Sequence, residues 1–166
     1  DALRSKLNVG ARPALLFISS SRGRFAMLEE ILPSLMDRFT LFVIYGKNTK
    51  LRQQLASLNS PHIKYFSYYE QIWELMALST VIISKPGGMT VFECMYMKKP
   101  LVFTQFIRGQ EQANMDFLIS RDLARYVDSP EHFLAAIDQY TKHTVDFKHS
   151  YPLPLDNLAP ILQDMV

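Results

Sequence analysis

Three groups of residues have the types and spacing to do chemistry. Pro86-Gly87-Gly88 halts the β-branched run at residues 80–84 and precedes a helical stretch that carries Glu93. Glycine lets backbone N–H groups come close to a ligand, and a helix N-terminus favours an anion, so this turn could cradle a phosphate. Glu93 could accept two hydrogen bonds from vicinal hydroxyls such as those of a ribose. It also completes a capping box with Thr90 as N-cap, and the two roles can coexist. Gln110, Glu111, Gln112 and Asn114 follow Gly109 and mix the donors and acceptors that a sugar ring needs, although such residues also cap surface helices. Residues 19–23 form a third group, in which Ser21, Arg22 and Gly23 could lie beside a phosphate. They lack the Gly-Lys-Ser/Thr ending of a P-loop and do not match G-x-G-x-x-G, which disfavours a dinucleotide site. Tyr65, Tyr68 and Tyr69 around Phe66 could stack on a base, but an aromatic strand end serves packing equally well.

The elements that must position these groups follow from period and punctuation. Short apolar runs predict strands at 15–18, 41–45, 63–66, 80–84 and 101–104, with a brief one near 125–127. Between them lie helical patterns: Phe25, Leu28, Ile31, Leu32 and Leu35; then Leu51, Leu55 and Leu58; then residues 70–79, a helix from near Thr90, and residues 111–120. A last helix at 130–141 starts after Ser129-Pro130, a serine cap with proline at the first helical position. Strict alternation of this kind predicts a doubly wound α/β domain, with a mostly parallel six-stranded sheet and helices on both faces. Five of the six glycines, Gly23, Gly46, Gly87, Gly88 and Gly109, fall just after predicted strands. In an open α/β sheet those positions share the carboxyl edge, where ligands bind.

Composition narrows the function classes. The chain of 166 residues, 48% hydrophobic and 20% charged, is the size of one soluble domain. A formal charge of +2 is too small to imply nucleic acid. The single cysteine, Cys94, excludes an internal disulfide framework and a multi-thiol metal site, and reads as a small buried hydrophobe. His62, His132, His143 and His149 lack metal-ligand spacing. No apolar run reaches the ~18 residues of a membrane span, and the first residues show no signal-peptide pattern. The sequence begins Asp1-Ala2 rather than with methionine, which reads as a fragment or a processing scar. Two regions are expected: an α/β domain over 1–150, and a C-terminal linker and helix over 151–166, with Asp156 as its cap.

The segment SKPGGMTVFECMYMKKPLVF, followed by RGQEQANMDFL and preceded by YGKN-x-x-L at 45–51, resembles the donor-binding, carboxyl-terminal half of the two-domain GT-B glycosyltransferases. These include MurG, the monogalactosyldiacylglycerol synthases and the processive diacylglycerol glucosyltransferases. The likeness covers most of residues 12–128. It implies a Rossmann-like half of an inverting enzyme that binds a UDP-sugar and passes a hexose or N-acetylhexosamine to a lipid or cell-envelope acceptor. Carried over residue by residue, it places Glu93 on the ribose, Gly87, Gly88, Met89 and Thr90 at the diphosphate, and Gln110, Glu111 and Asn114 at the donor sugar. Phe66 and Ser67 would read the uracil edge, and Ser21, Arg22 and Gly23 would lie beside the phosphates. The catalytic base would sit on a missing N-terminal acceptor domain, so this chain alone would bind donor without transferring sugar. No metal and no cofactor are expected, and the setting would be cytoplasmic, peripheral to a membrane surface. Two departures stand out. Ser19 and Ser20 replace the family's usual glycines in the first loop, and the acceptor domain is absent. The alternatives are a stand-alone donor-binding subunit that needs a partner protein, and a non-catalytic nucleotide-sugar sensor or interaction module.

Overall fold

The computed structural model describes residues 2–19 and 27–147. Six strands form one all-parallel sheet: β1 (Ala14–Ile18), β2 (Thr40–Ile44), β3 (Ile63–Phe66), β4 (Ser79–Ser84), β5 (Leu101–Phe103) and β6 (Ala124–Tyr126). Their order is β3-β2-β1-β4-β5-β6. The chain winds outward from β1 to one edge, then crosses back to β4 and winds to the other. The reversal between β1 and β4 opens a crevice beyond their carboxyl ends.

The inner strands are largely apolar on both faces because helices cover both. Along β1, Leu15 and Phe17 enter one core, while Ala14 and Leu16 enter the other. The same alternation separates Leu41 and Val43 from Phe42 and Ile44 in β2, and Val102 from Leu101 and Phe103 in β5. One face is packed by α2 (Leu28–Met36), α3 (Thr49–Ser57) and α7 (Pro130–Lys142); the other by α4 (Ile72–Leu78), α5 (Gly88–Tyr96) and α6 (Gln112–Ile119). Phe133 of α7 stacks on Phe17 of β1 with ring centroids 6.2 Å apart. The predicted α7 cap forms: Ser129 Oγ accepts the His132 N–H at 3.2 Å, with Pro130 opening the helix.

The start of α5 corrects the expectation at Thr90. Gly87 takes the extended N-cap conformation at φ −68° and ψ 142°, and its carbonyl accepts the Val91 N–H at 2.9 Å. The helix therefore begins at Gly88, and its N-cap lies three residues before Thr90. Thr90 lies inside the first turn and Glu93 beyond the reach of a capping box, and no side chain caps this helix. Within the described residues α2 begins at Leu28 and contains Pro33. A short helix not anticipated from pattern, α1 (Ala2–Lys6), precedes the sheet. It is tied to α4 by Lys6, whose Nζ donates to both oxygens of buried Glu74 at 2.6 and 2.8 Å; the Tyr69 hydroxyl donates to Glu74 Oε2 at 2.6 Å. The expected helix within 151–166 lies outside the described residues.

Candidate functional site at the carboxyl edge

At the switch point the carboxyl end of β4 leads into Lys85, Pro86 and Gly87, and then directly into α5. Because the first intrahelical bond is made by Val91, the N–H groups of Gly88, Met89 and Thr90 precede the hydrogen-bonded ladder. Gly88 and Met89 are exposed, and Thr90 is half-buried. A Cβ built on Gly88 would meet nothing within 4 Å, and one on Gly87 would meet only Glu111 Oε1 at 3.8 Å, an ordinary contact. Neither glycine is thus demanded by its φ or by packing within this chain. What both do is leave the backbone of the first turn bare toward the edge.

Glu93, the sixth residue of α5, is half-buried, and its carboxylate makes no hydrogen bond or ion pair among the described residues. Desolvation alone raises its carboxyl above the ordinary range. The neighbouring Cys94 is fully buried, and burial, reinforced by the Glu93 charge, pushes its thiol far up, so it is an inert core side chain.

The polar run after β5 divides sharply. Gln110 is exposed and makes no hydrogen bond among the described residues, while Gln112 donates to Asp116 at 2.8 Å along its own helix. Glu111 is 5% exposed, with both oxygens engaged: Lys85 Nζ donates to Oε1 at 2.6 Å and the Ile107 N–H to Oε2 at 2.7 Å. Asn114 Nδ2 donates to the Pro86 carbonyl at 3.0 Å. The loop between them turns through Gly109 at φ +80°, a left-handed conformation that favours glycine. Lys85 is a residue of this edge that sequence reasoning missed; its signal was a lone cation immediately after a central strand on the glycine-bearing edge.

On the other half of the edge, the Phe66 carbonyl accepts the Tyr45 N–H at 2.9 Å, which commits it to the sheet. The Phe66 ring meets Tyr69 edge-on at 4.9 Å, so its side chain packs. Ser67, the first residue past the strand, is exposed. Ser21, Arg22 and Gly23 lie outside the described residues. Among the described residues no group of three or more His, Cys, Asp or Glu is arranged to hold a metal ion. No described helix is long and apolar enough to cross a membrane.

The sequence and the fold match known proteins. The family profile described as the glycosyltransferase family 28 C-terminal domain matches residues 9–149. The chain belongs to that family. Among individual relatives of this family 28 domain, the processive diacylglycerol beta-glucosyltransferase of Bacillus subtilis (strain 168) is 30% identical over 93% of the chain and 43% of that protein. The domain thus spans less than half the length of that relative. Of solved structures, MurG from Acinetobacter baumannii superposes with a TM-score of 0.69 at 18% identity, over 98% of this chain and 53% of the other. The C-terminal CMP-Kdo binding domain of WaaA, also from Acinetobacter baumannii, gives a TM-score of 0.65 at 16% identity, over 90% and 93%. Both likenesses are of fold; the family assignment rests on the profile match and the relative.

Proposed function

We propose that this family 28 domain binds a UDP-sugar and serves as the donor half of an inverting glycosyltransferase that passes a hexose or N-acetylhexosamine to a lipid or cell-envelope acceptor. The observation that carries the reading is Glu93: a half-buried carboxylate without a partner among the described residues, in a helix whose bare first turn opens at the switch point. A half-buried carboxylate on the same helix as an anion-favouring N-terminus fits a ligand that brings hydroxyls to one and phosphates to the other. The ribose hydroxyls would donate to Glu93. The diphosphate would accept from the N–H groups of Gly88, Met89 and Thr90, with Ser21, Arg22 and Gly23 beside it. Ser67 would meet the uracil edge, and Gln110 the donor sugar.

In transfer, the acceptor oxygen attacks the anomeric carbon from the face opposite UDP, and negative charge develops on the departing diphosphate. The positive end of α5 is already oriented where that charge appears, so no reorganisation is needed at the moment of bond breaking. The base that takes the acceptor proton would come from an N-terminal acceptor domain, so this chain alone would bind donor without turnover. The whole enzyme would work in the cytoplasm at a membrane surface. The diacylglycerol specificity in the name of the Bacillus subtilis relative makes a glycerolipid the first acceptor to try.

Thermal denaturation with a nucleotide panel tests the reading. A ligand bound only by the folded state stabilises it by mass action, about 2.7 kcal/mol at a hundred times its Kd. UDP should raise Tm and ADP and GDP much less. Equal shifts from all three would reduce the site to an unselective anion hole.

A further inference from the structure

Two carboxylates are buried among the described residues, Glu74 and Glu111, and Glu111 lies at the donor edge. Its oxygens divide between two loops. Oε1 holds Lys85, which leads into the Pro86-Gly87 turn, and Oε2 holds the Ile107 N–H, while the Glu111 N–H returns a bond to the Ile107 carbonyl at 2.8 Å. The Gly87 backbone passes so close that a Cβ there would stand 3.8 Å from Oε1. Asn114 adds a second tie from the same helix to the Pro86 carbonyl. A carboxylate whose two oxygens are taken within the protein, and which is 5% exposed, is poorly disposed to meet a sugar hydroxyl.

We infer that Glu111 is a positioning residue: through Lys85 and the Ile107 N–H it braces the loop after β5 against the turn after β4, and so holds the first turn of α5 in place for the donor diphosphate. This rests on the donor-site reading above. The brace joins the loop assigned to the sugar to the turn assigned to the phosphates, so its loss acts on the nucleotide and not on the sugar alone. The pair also keeps the Lys85 charge at the edge of the site without leaving it unpaired; its side chain is 23% exposed against 6% for Glu111. Removing one member strands the other charge, whereas removing both does not.

Isothermal titration of UDP and UDP-glucose into the 166-residue chain and its variants is the test. Glu111→Gln and Lys85→Met should each weaken UDP and UDP-glucose by the same factor, about tenfold, within the usual range of coupling between linked sites. The double variant should be no worse than either single, since residues acting as one unit are not additive. Asn114→Ala strands no charge and guards against a Glu111 variant that fails to fold; it should weaken UDP about threefold, less than loss of the charged tie. Selective loss of UDP-glucose in Glu111→Gln would make Glu111 a sugar contact and overturn the brace. Loss in Lys85→Met with none in Glu111→Gln would make Lys85 a direct phosphate ligand and overturn it too. A lowered Tm with unchanged UDP affinity in all three single variants would leave these residues a structural role only, and the brace would again be overturned. Failure of the unaltered chain to bind UDP would instead sink the donor-site reading itself.

Discussion

At Glu93 the cost of burying a carboxyl stands against the proposed contact with the ribose. Its carboxyl is raised by desolvation, so the folded chain holds that proton more tightly than the unfolded chain does. Stability therefore falls as pH rises from the unfolded pKa through the folded one, and the cost stays in full above it. Glu93→Gln removes the cost. The variant should melt higher than the parent at neutral pH, and the two curves should converge at low pH. The same change should weaken UDP, because an amide presents one acceptor oxygen where the carboxylate presents two and charge-assisted bonds are worth about 1.5 to 3 kcal/mol. Calorimetric melting across pH, paired with UDP titration, checks both halves. A variant that is destabilised at neutral pH and binds UDP normally would return Glu93 to a packing role.

At the scale of elements, α1 offers the clearest dependence on a polar tie. It has five residues and buries none of them, far below the length at which a helix holds itself together in water. The cluster of Lys6, Glu74 and Tyr69 fixes it to α4. The Lys6 and Tyr69 hydrogen bonds hold the Glu74 carboxyl below its ordinary range, while burial and the Glu74 charge push the Tyr69 hydroxyl up to about 12. Because the folded Glu74 pKa is depressed, its contribution is full above the unfolded value and is lost as pH falls through the folded one. Glu74→Gln should lower Tm at neutral pH and make no difference in strong acid. Amides of α1 should exchange faster in the variant, while those of β1 should not. The capping expectation at Thr90 failed at this same scale. A sequence motif signals a cap only if the helix starts there, and Gly87 in an extended conformation starts α5 earlier.

For the molecule as a whole, the parallel sheet makes the centre the most protected region. β1 and β4 are paired on both sides and covered on both faces, whereas β3 and β6 are edges of four and three residues. Native-state hydrogen exchange should therefore be slowest at Leu16, Phe17, Ile82 and Ile83 and markedly faster in β3 and β6. Uniform protection across all six strands would contradict that gradient. The gradient also bears on the site, since the turn assigned to the diphosphate hangs from the central strand β4, while the segment assigned to the uracil hangs from edge strand β3.

The elements themselves were legible because they rest on local physics. Apolar runs bounded by proline and glycine become strands, helical spacing covers them, and Ser129-Pro130 starts a helix wherever it stands in the fold. Gathering the glycines on one edge likewise needs only the rule that parallel strands all end on the same side. Tertiary structure alone decided the strand order, and with it that the turn at Gly87 lies at the reversal between β1 and β4. It also decided the fate of the polar run 110–114. Charges and amides look alike in sequence, but β5 pairs beside β4, which brings Glu111 to Lys85 across 26 positions and buries it there, while Gln110 stays exposed. A buried carboxylate must find a partner, and which cation is near enough to serve is fixed by strand pairing rather than by spacing along the chain.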